Sequence, residues 1–399
     1  MADSMRIDGF GVPPKTGAIA ACLILGSIAL LMLGLQPLLL GSLAEAGRLD
    51  VAEVGYAATS ELLAIGIVSA LAGMLLKPHR LRLMSIAACL VLAAANFGTI
   101  YVDGMGIVLL RAVAGSASGL LVWVAVNLIT RGQSPERLSG IFVTLQTLMQ
   151  FALAATLPVT LLPIYGANVG LFALGSFSVL AIACTFFIPD RFEPLPKTEE
   201  TTSTALPISG IVALLVVFLY LAAIVGLWVY IERVGVLAGV SPRTAGLAVA
   251  VALAAQVVGG FAATALAGRV NAVFAFIACG LANIALVGVF ALQPGATVYL
   301  LSVAAFGFLW LFALPFQVPL LIEADPSRRS AMLMAGAQLL GCSAGPMLTS
   351  AVATDHDMSG VLDVTAVVFV LAVAIAFTLH LRFARAHHAA SVIIVEPAD

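Results

Sequence analysis

Two side chains of opposite charge, Glu61 and Arg111, stand inside long apolar stretches of this chain. An ionised group in hydrocarbon costs about 3 kcal/mol on insertion scales, so such groups persist where they pair or meet water, and they mark solute and proton paths. A carboxylate that pairs with a guanidinium in one arrangement and loses it in another changes its proton affinity, which is what proton coupling requires. The same two residues also fit a plainer reading, a static ion pair that holds two segments together. Gln36 falls near the same level on a third segment.

A second, neutral set lies near the middle of other apolar stretches. It comprises Gln146 and Gln150, Tyr220, Gln256, Trp310 with Gln317, and Gln338. Gln146 and Gln150 share one helical face, as do Trp310 and Gln317. Ser118 shares a face with Arg111, whereas Trp123 and Asn127 point elsewhere. Buried amides and indoles need partners. A hydroxyl- or carboxylate-bearing solute would supply them. Each could instead bond a neighbour and act as helix glue. Taken as a set on several segments, they are read as a solute cavity.

Two apparent motifs are set aside. Gly341-Cys342-Ser343-Ala344-Gly345 has the spacing of a nucleophile elbow, which needs a strand-to-helix turn and a nearby histidine. This stretch is a continuous apolar run, and His79, His356, His380, His387 and His388 all fall in or near loops and tails. Close packing through small residues explains it better. Gly115-Ser116-Ala117-Ser118-Gly119 has no preceding strand and no lysine, so it reads as packing rather than a phosphate loop. No span offers a nucleophile with a base, so an enzyme is not expected.

The elements that position these residues follow from composition. Of 399 residues, 62% are hydrophobic and 10% charged, and the mean hydropathy is +1.14. A soluble domain carries about a quarter charged residues. The net charge of -2 gives no basic excess for a nucleic-acid partner. Cys22, Cys89, Cys184, Cys279 and Cys342 are scattered through apolar runs, with no metal or disulfide spacing. No cofactor is expected. The start, 1–16, lacks the cleavage site of a signal peptide.

A helix needs about 20 apolar residues to cross the bilayer. Twelve runs qualify, near 17–41, 54–76, 82–101, 104–130, 138–162, 167–188, 208–233, 243–267, 271–291, 296–322, 329–353 and 360–383. In lipid the backbone must be paired within its own segment, so these runs are helices. The predicted class is an all-α integral membrane protein. With the N-terminus inside, Arg6, Lys15, Lys77, Arg80, Arg82, Arg131, Arg137, Arg191, Lys197, Arg269, Arg328, Arg329, Arg382 and Arg385 are cytoplasmic, and only Arg48, Arg233 and Arg243 lie outside. The positive-inside rule then puts both termini in the cytoplasm. Glu232 and Glu323 fall at span ends, and Asp355, Asp357 and Asp363 in or beside the last outside loop. All are read as solvated, with Glu232 within reach of the outer mouth.

The chain also repeats itself. Shifted back by 191–192 residues, Gly226 falls on Gly34, Gly246 on Gly55, Gly307 on Gly115, Arg329 on Arg137 and Gln338 on Gln146. Helix starts follow the same shift. Asp50-Val51-Ala52-Glu53 is a capping box at span two, and Ser241-Pro242 an N-cap with proline at N1 at span eight. Ser134-Pro135 and Asp325-Pro326 open spans five and eleven. The implied organisation is a six-helix bundle over 1–188, a polar linker over 189–207, a second bundle over 208–383 and a tail over 384–399. Internal repeats of this kind mark secondary transporters, with the site at the interface of the repeats.

Twelve spans, a central linker and a six-plus-six repeat resemble the major facilitator superfamily over essentially the whole chain. The family's loop signature between spans two and three, Gly-x-x-x-Asp-Arg-x-Gly-Arg-Arg, is matched in part by Gly73-Met74-Leu75-Leu76-Lys77-Pro78-His79-Arg80-Leu81-Arg82, where Lys77 replaces the aspartate. Its span-four pattern is kept as Arg111-Ala112-Val113-Ala114-Gly115, and in proton-coupled relatives that arginine is tied to proton movement. The Gly-x-x-x-Gly-Pro motif of antiporters is absent from span five and stands in span eleven, at Gly341–Pro346. The resemblance implies that spans one, four, seven and ten line a cavity, flanked by two, five, eight and eleven. It does not select a subfamily.

The expected activity is secondary active transport of a small organic solute, an organic anion among the candidates, by alternating access with protons as coupling ion. A proton-driven exporter of amphiphilic compounds and a non-transporting sensor are the alternatives. A monomer in a bacterial inner membrane is expected, with the bilayer, protons and the solute as its partners.

Overall fold

The computed structural model describes residues 16–129, 135–191, 206–266, 269–326 and 329–395. Arg6, Lys15, Arg131, Lys197, Arg328, the Ser134 cap, most of the expected linker and the last four residues of the tail lie outside the described residues. Side chains of 135–137, 329, 332 and 384–395 are also outside them. The chain divides into two compact units, Met1–Thr204 and Ala205–Asp399.

The first unit contains α1 (Thr16–Ala29), α2 (Leu31–Glu45), α3 (Val51–Leu75), α4 (Leu81–Gly98), α5 (Met105–Ile129), α6 (Pro135–Thr160), α7 (Leu162–Tyr165) and α8 (Asn168–Thr185). The second contains α9 (Ile208–Leu237), α10 (Pro242–Leu266), α11 (Ala272–Ala291), α12 (Ala296–Ala313), α13 (Gln317–Ala324), α14 (Arg329–Met332), α15 (Met334–Ser350) and α16 (Ser359–Val395). Among the described residues, eleven helical segments are long and apolar enough to cross a membrane. The twelfth expected run is interrupted at Leu333, which leaves α15 with 17 residues. Large apolar side chains such as Leu75, Leu109, Phe187, Phe261 and Leu301 are exposed, as befits helices whose solvent is lipid tails. The protein is a multi-pass integral membrane protein.

Several starts are set as the sequence predicts. Asp50 accepts from the Glu53 amide at 2.7 Å while Glu53 accepts from the Asp50 amide at 2.9 Å. Ser241 accepts from the Thr244 amide at 3.2 Å. Span eleven differs: Asp325 does not open it directly. Its carboxylate accepts from the Ser330 amide and hydroxyl, at 2.9 and 2.8 Å, so α14 begins at Arg329, four residues late.

Other spans are broken where the sequence read them as continuous. Span one gives way at Leu30, where Ser27 bonds back to the Leu23 carbonyl, a contact that bends helices. Span ten passes through a 3-10 turn, Leu314–Phe316, at Pro315, because proline removes a ladder donor and crowds the preceding turn. Trp310 and Gln317 are therefore not on one regular helix face. Span seven is longer than its apolar run suggests and continues to Leu237.

The repeat is visible in the packing. A Cβ on Gly115 would meet the carbonyl of Glu61, and one on Gly307 the carbonyl of Ala252. The shift that aligns the glycines also aligns the residues they pack on. Each unit thus crosses two helices, α3 with α5 and α10 with α12, at backbone contact distance. In the second unit Gly341 and Gly345 lie against the Phe218 and Ala222 carbonyls of α9, so Gly341–Gly345 serves as a packing stripe.

Gly115→Ala places a methyl into the Glu61 carbonyl and is expected to cost about 1–3 kcal/mol through overpacking. Gly288 has open space around it, so Gly288→Ala should be neutral or stabilise by up to about 1 kcal/mol. Thermal unfolding of the detergent-purified protein, variant against wild type, checks both.

Candidate functional site

On α5, Arg111, Gly115 and Ser118 follow one another at i, i+4 and i+7, and so line one face. Gly115 brings that face against α3 one turn from Arg111, which places the guanidinium beside Glu61. Arg111 Nη1 stands 3.6 Å from Glu61 Oε1, an ion-pair distance rather than a hydrogen bond. Both residues are buried, Glu61 at 2% and Arg111 at 0% exposure.

Two further partners come from α4 and the turn after it. Arg111 Nη2 donates to Asn96 Oδ1 at 2.8 Å and to Thr99 Oγ1 at 3.0 Å, and the Thr99 hydroxyl in turn donates to the Ala95 carbonyl at 2.7 Å. Sequence reading missed both. The signal was available: Asn96 and Thr99 are spaced i, i+3 near the end of span three that lies level with the start of span four. The cage is incomplete. Glu61 Oε2 and Arg111 Nε make no hydrogen bond among the described residues. Beside Glu61 is a cavity of about 10 Å³ whose polar wall is Glu61, Asn96, Ser118 and Ser178. Ser118 Oγ is buried there, also without a hydrogen bond.

The other expected residues are distributed as follows. Gln36 on α2 is fully buried with neither amide atom bonded among the described residues, and it is not part of the cavity wall. Gln150 donates to the Leu30 carbonyl at 2.7 Å, which at the α1–α2 break also accepts from the Leu33 amide at 3.2 Å, and it lies against Gly34. Gln146 is half-buried. Tyr220 accepts from Asn283 Nδ2 at 3.1 Å and is enclosed by Phe276 and Phe369. Trp310 meets Trp228 edge-on at 5.6 Å. Gln338 donates to Gln317 at 2.8 Å, and Gln256 is buried on α10. The structure thus joins Glu61, Arg111 and Ser118 in one group and Gln317 with Gln338 in another.

Two acids read as solvated are not. Glu232 is 6% exposed, on a turn of α9 where Tyr299 of α12 donates to the Ile231 carbonyl at 2.7 Å and lies against Gly235. Glu323 is half-buried with His380 Nδ1 at 3.5 Å. By contrast Asp357 sits in the loop before α16, beside a cavity of about 120 Å³ that also touches His356 and Asp363. The Ser359 hydroxyl and amide both donate to its carboxylate and hold it below the usual carboxylate range.

No family model and no curated sequence matches the chain. Solved structures do. The nucleoside transporter NupG superposes with a TM-score of 0.69 at 14% identity, over 92% of this chain and 99% of that one. A D-xylose–proton symporter gives 0.64 at 14%, over 91% and 96%. The chain has the major facilitator fold. A bacterial homologue of the human lysosomal transporter Spinster, in an inward-facing and unoccupied conformation, gives 0.65 at 14%, over 92% and 97%. At such identity the likeness speaks for the fold alone. Within the major facilitator fold, this chain has placed its buried ion pair on the crossing of its second and fourth spans.

Asn96→Leu removes one of the two hydrogen bonds made by Arg111 Nη2 and leaves buried charge under-solvated. A loss of about 1–3 kcal/mol is expected, read as a lowered unfolding temperature in detergent, with Asn127→Leu as the comparison.

Proposed function

We propose that the protein is a secondary active transporter that moves a small organic solute by alternating access, with protons as the coupling ion. Glu61 is the proton carrier and Arg111 its counter-charge. The observation that carries this reading is the contrast between the two units. The second builds the same close helix crossing with Ala252 where the first has Glu61, and its position equivalent to Arg111 is Val303. A crossing of this kind needs no charge, so the ion pair answers a demand other than scaffolding. Intramembrane ionisable groups are functional by default, and one structural neighbour is a D-xylose–proton symporter.

The solute is small and hydroxyl-bearing. Arg111 is fully buried and already faces Glu61, Asn96 and Thr99, which disfavours an anion bound to it directly, while amides and indoles such as Gln256, Gln317, Gln338 and Trp310 suit hydroxyls. Gln36, Gln146, Gln150 and Tyr220 shape the helices that carry the pocket. The distribution of lysine and arginine supports cytoplasmic termini, and the composition suits a monomer in a bacterial inner membrane.

In proteoliposomes, solute accumulation by the wild type should rise when the solute side is made acidic. Glu61→Gln should respond less than a tenth as strongly, whichever way the gradient is set; an undiminished response rejects the coupling role. Arg111→Lys keeps the charge but loses the planar fork that reaches Asn96 and Thr99. Its initial rate is expected to fall roughly tenfold, the equivalent of about 1.4 kcal/mol.

A further inference from the structure

We infer that a single water molecule binds in the small cavity of the first unit, bridging Glu61 Oε2 and Ser118 Oγ, and keeps Glu61 hydrogen-bonded in both of its protonation states. The second clause rests on the reading of Glu61 as a proton carrier; the binding site itself does not.

The cavity volume, about 10 Å³, is near the minimum that accepts one water, which also needs two to four polar partners. Glu61 and Ser118 both line this space, and Glu61 Oε2 and Ser118 Oγ are both buried without a hydrogen bond among the described residues. Leaving such groups unmade costs about 1–3 kcal/mol each. Ser178 Oγ donates to the Leu174 carbonyl at 2.8 Å and keeps its lone pairs as acceptors. Asn96 Oδ1, which holds Arg111, completes the polar wall. The remainder is aliphatic, from Leu92, Leu174 and the α1–α2 junction, so the polar partners are confined to one wall.

A metal cation is a poor fit. Arg111 Nη1 already stands 3.6 Å from the same carboxylate, and a second positive charge at that range is repelled. An organic group is too large. Water is both donor and acceptor. It donates to Oε2 when Glu61 is ionised and accepts from the acid when Glu61 is protonated, while the Ser118 hydroxyl rotates to suit either state. No fixed backbone group offers that reversal.

The test is infrared spectroscopy of the full chain in lipid nanodiscs at one fixed pH. Spectra in ordinary and heavy-oxygen water are subtracted, and the wild type is then compared with Ser118→Ala and Ser118→Val. The wild type should show a water O–H band that moves with heavy oxygen. Ser118→Val fills the cavity and should abolish it. Ser118→Ala leaves room but removes one partner and should shift it towards weaker hydrogen bonding. Absence of the band in the wild type, or a band indifferent to Ser118→Ala, overturns the site. A band that behaves as stated, together with gradient-driven uptake undiminished in Glu61→Gln, upholds the water site and rejects the proton reading alone.

Discussion

A guanidinium is a permanent cation, and enclosing one inside a helix bundle dictates what must surround it. Arg111 needs acceptors on every side it turns to, in a setting where the backbone has none to spare, since helical carbonyls are already paired. The first unit supplies them from three elements, a carboxylate on α3, an amide on α4 and a hydroxyl just beyond it, and leaves Nε without a hydrogen bond among the described residues. Those three can converge only because α5 carries glycine one turn from the arginine, which lets α3 lie against it with Glu61 in reach. The order of dependence runs from a missing Cβ to helix spacing to charge placement.

Much of this was legible in the residues. Length of apolar run gave the spans, the caps at Asp50 and Ser241 gave two starts, and a common shift gave the duplication. The level of Glu61 in span two and of Arg111 in span four was enough to bring them together. What escaped has physical causes. Breaks at Leu30 and Leu333 depend on side-chain bonding and packing that hydropathy does not encode. Glu232 looked solvated because apolarity ends near it, yet α9 continues to Leu237 and Tyr299 of α12 packs on the same turn. Helix length follows backbone pairing and tertiary cover as well as apolarity. Asn96 and Thr99 were passed over because a neutral residue in an apolar span attracts less notice than a charge, although it is the natural partner of one.

The glutamines teach a related lesson. An amide in a membrane helix can serve a ligand or repair the scaffold, and sequence alone does not separate the two. Gln150 illustrates a scaffold role: at the α1–α2 break the Leu30 carbonyl accepts from the Leu33 amide three residues on, and Gln150 adds a shorter bond to it from α6. Gln338 donates to Gln317 across two helices, and Gln317 Nε2 is left without a hydrogen bond among the described residues. Gln36 has neither arrangement. The three cases differ in what the neighbouring backbone needs, so helix breaks, themselves hard to read, decide which amides are left for chemistry.

The duplication supplies an internal control on the charged site. Both units derive from one pattern, and both retain the glycine that brings two helices to backbone contact. Had the carboxylate and guanidinium been needed to hold that crossing, the second unit would require a substitute of comparable strength, and at the equivalent places it has alanine and valine, both fully buried. Replacing a buried ion pair with packed apolar groups is often neutral or stabilising, so the neutral version is the easier one to keep. A costlier version in one unit alone is not explained by the shape the two units share, and it is what the proposed proton-carrying role of that unit asks for.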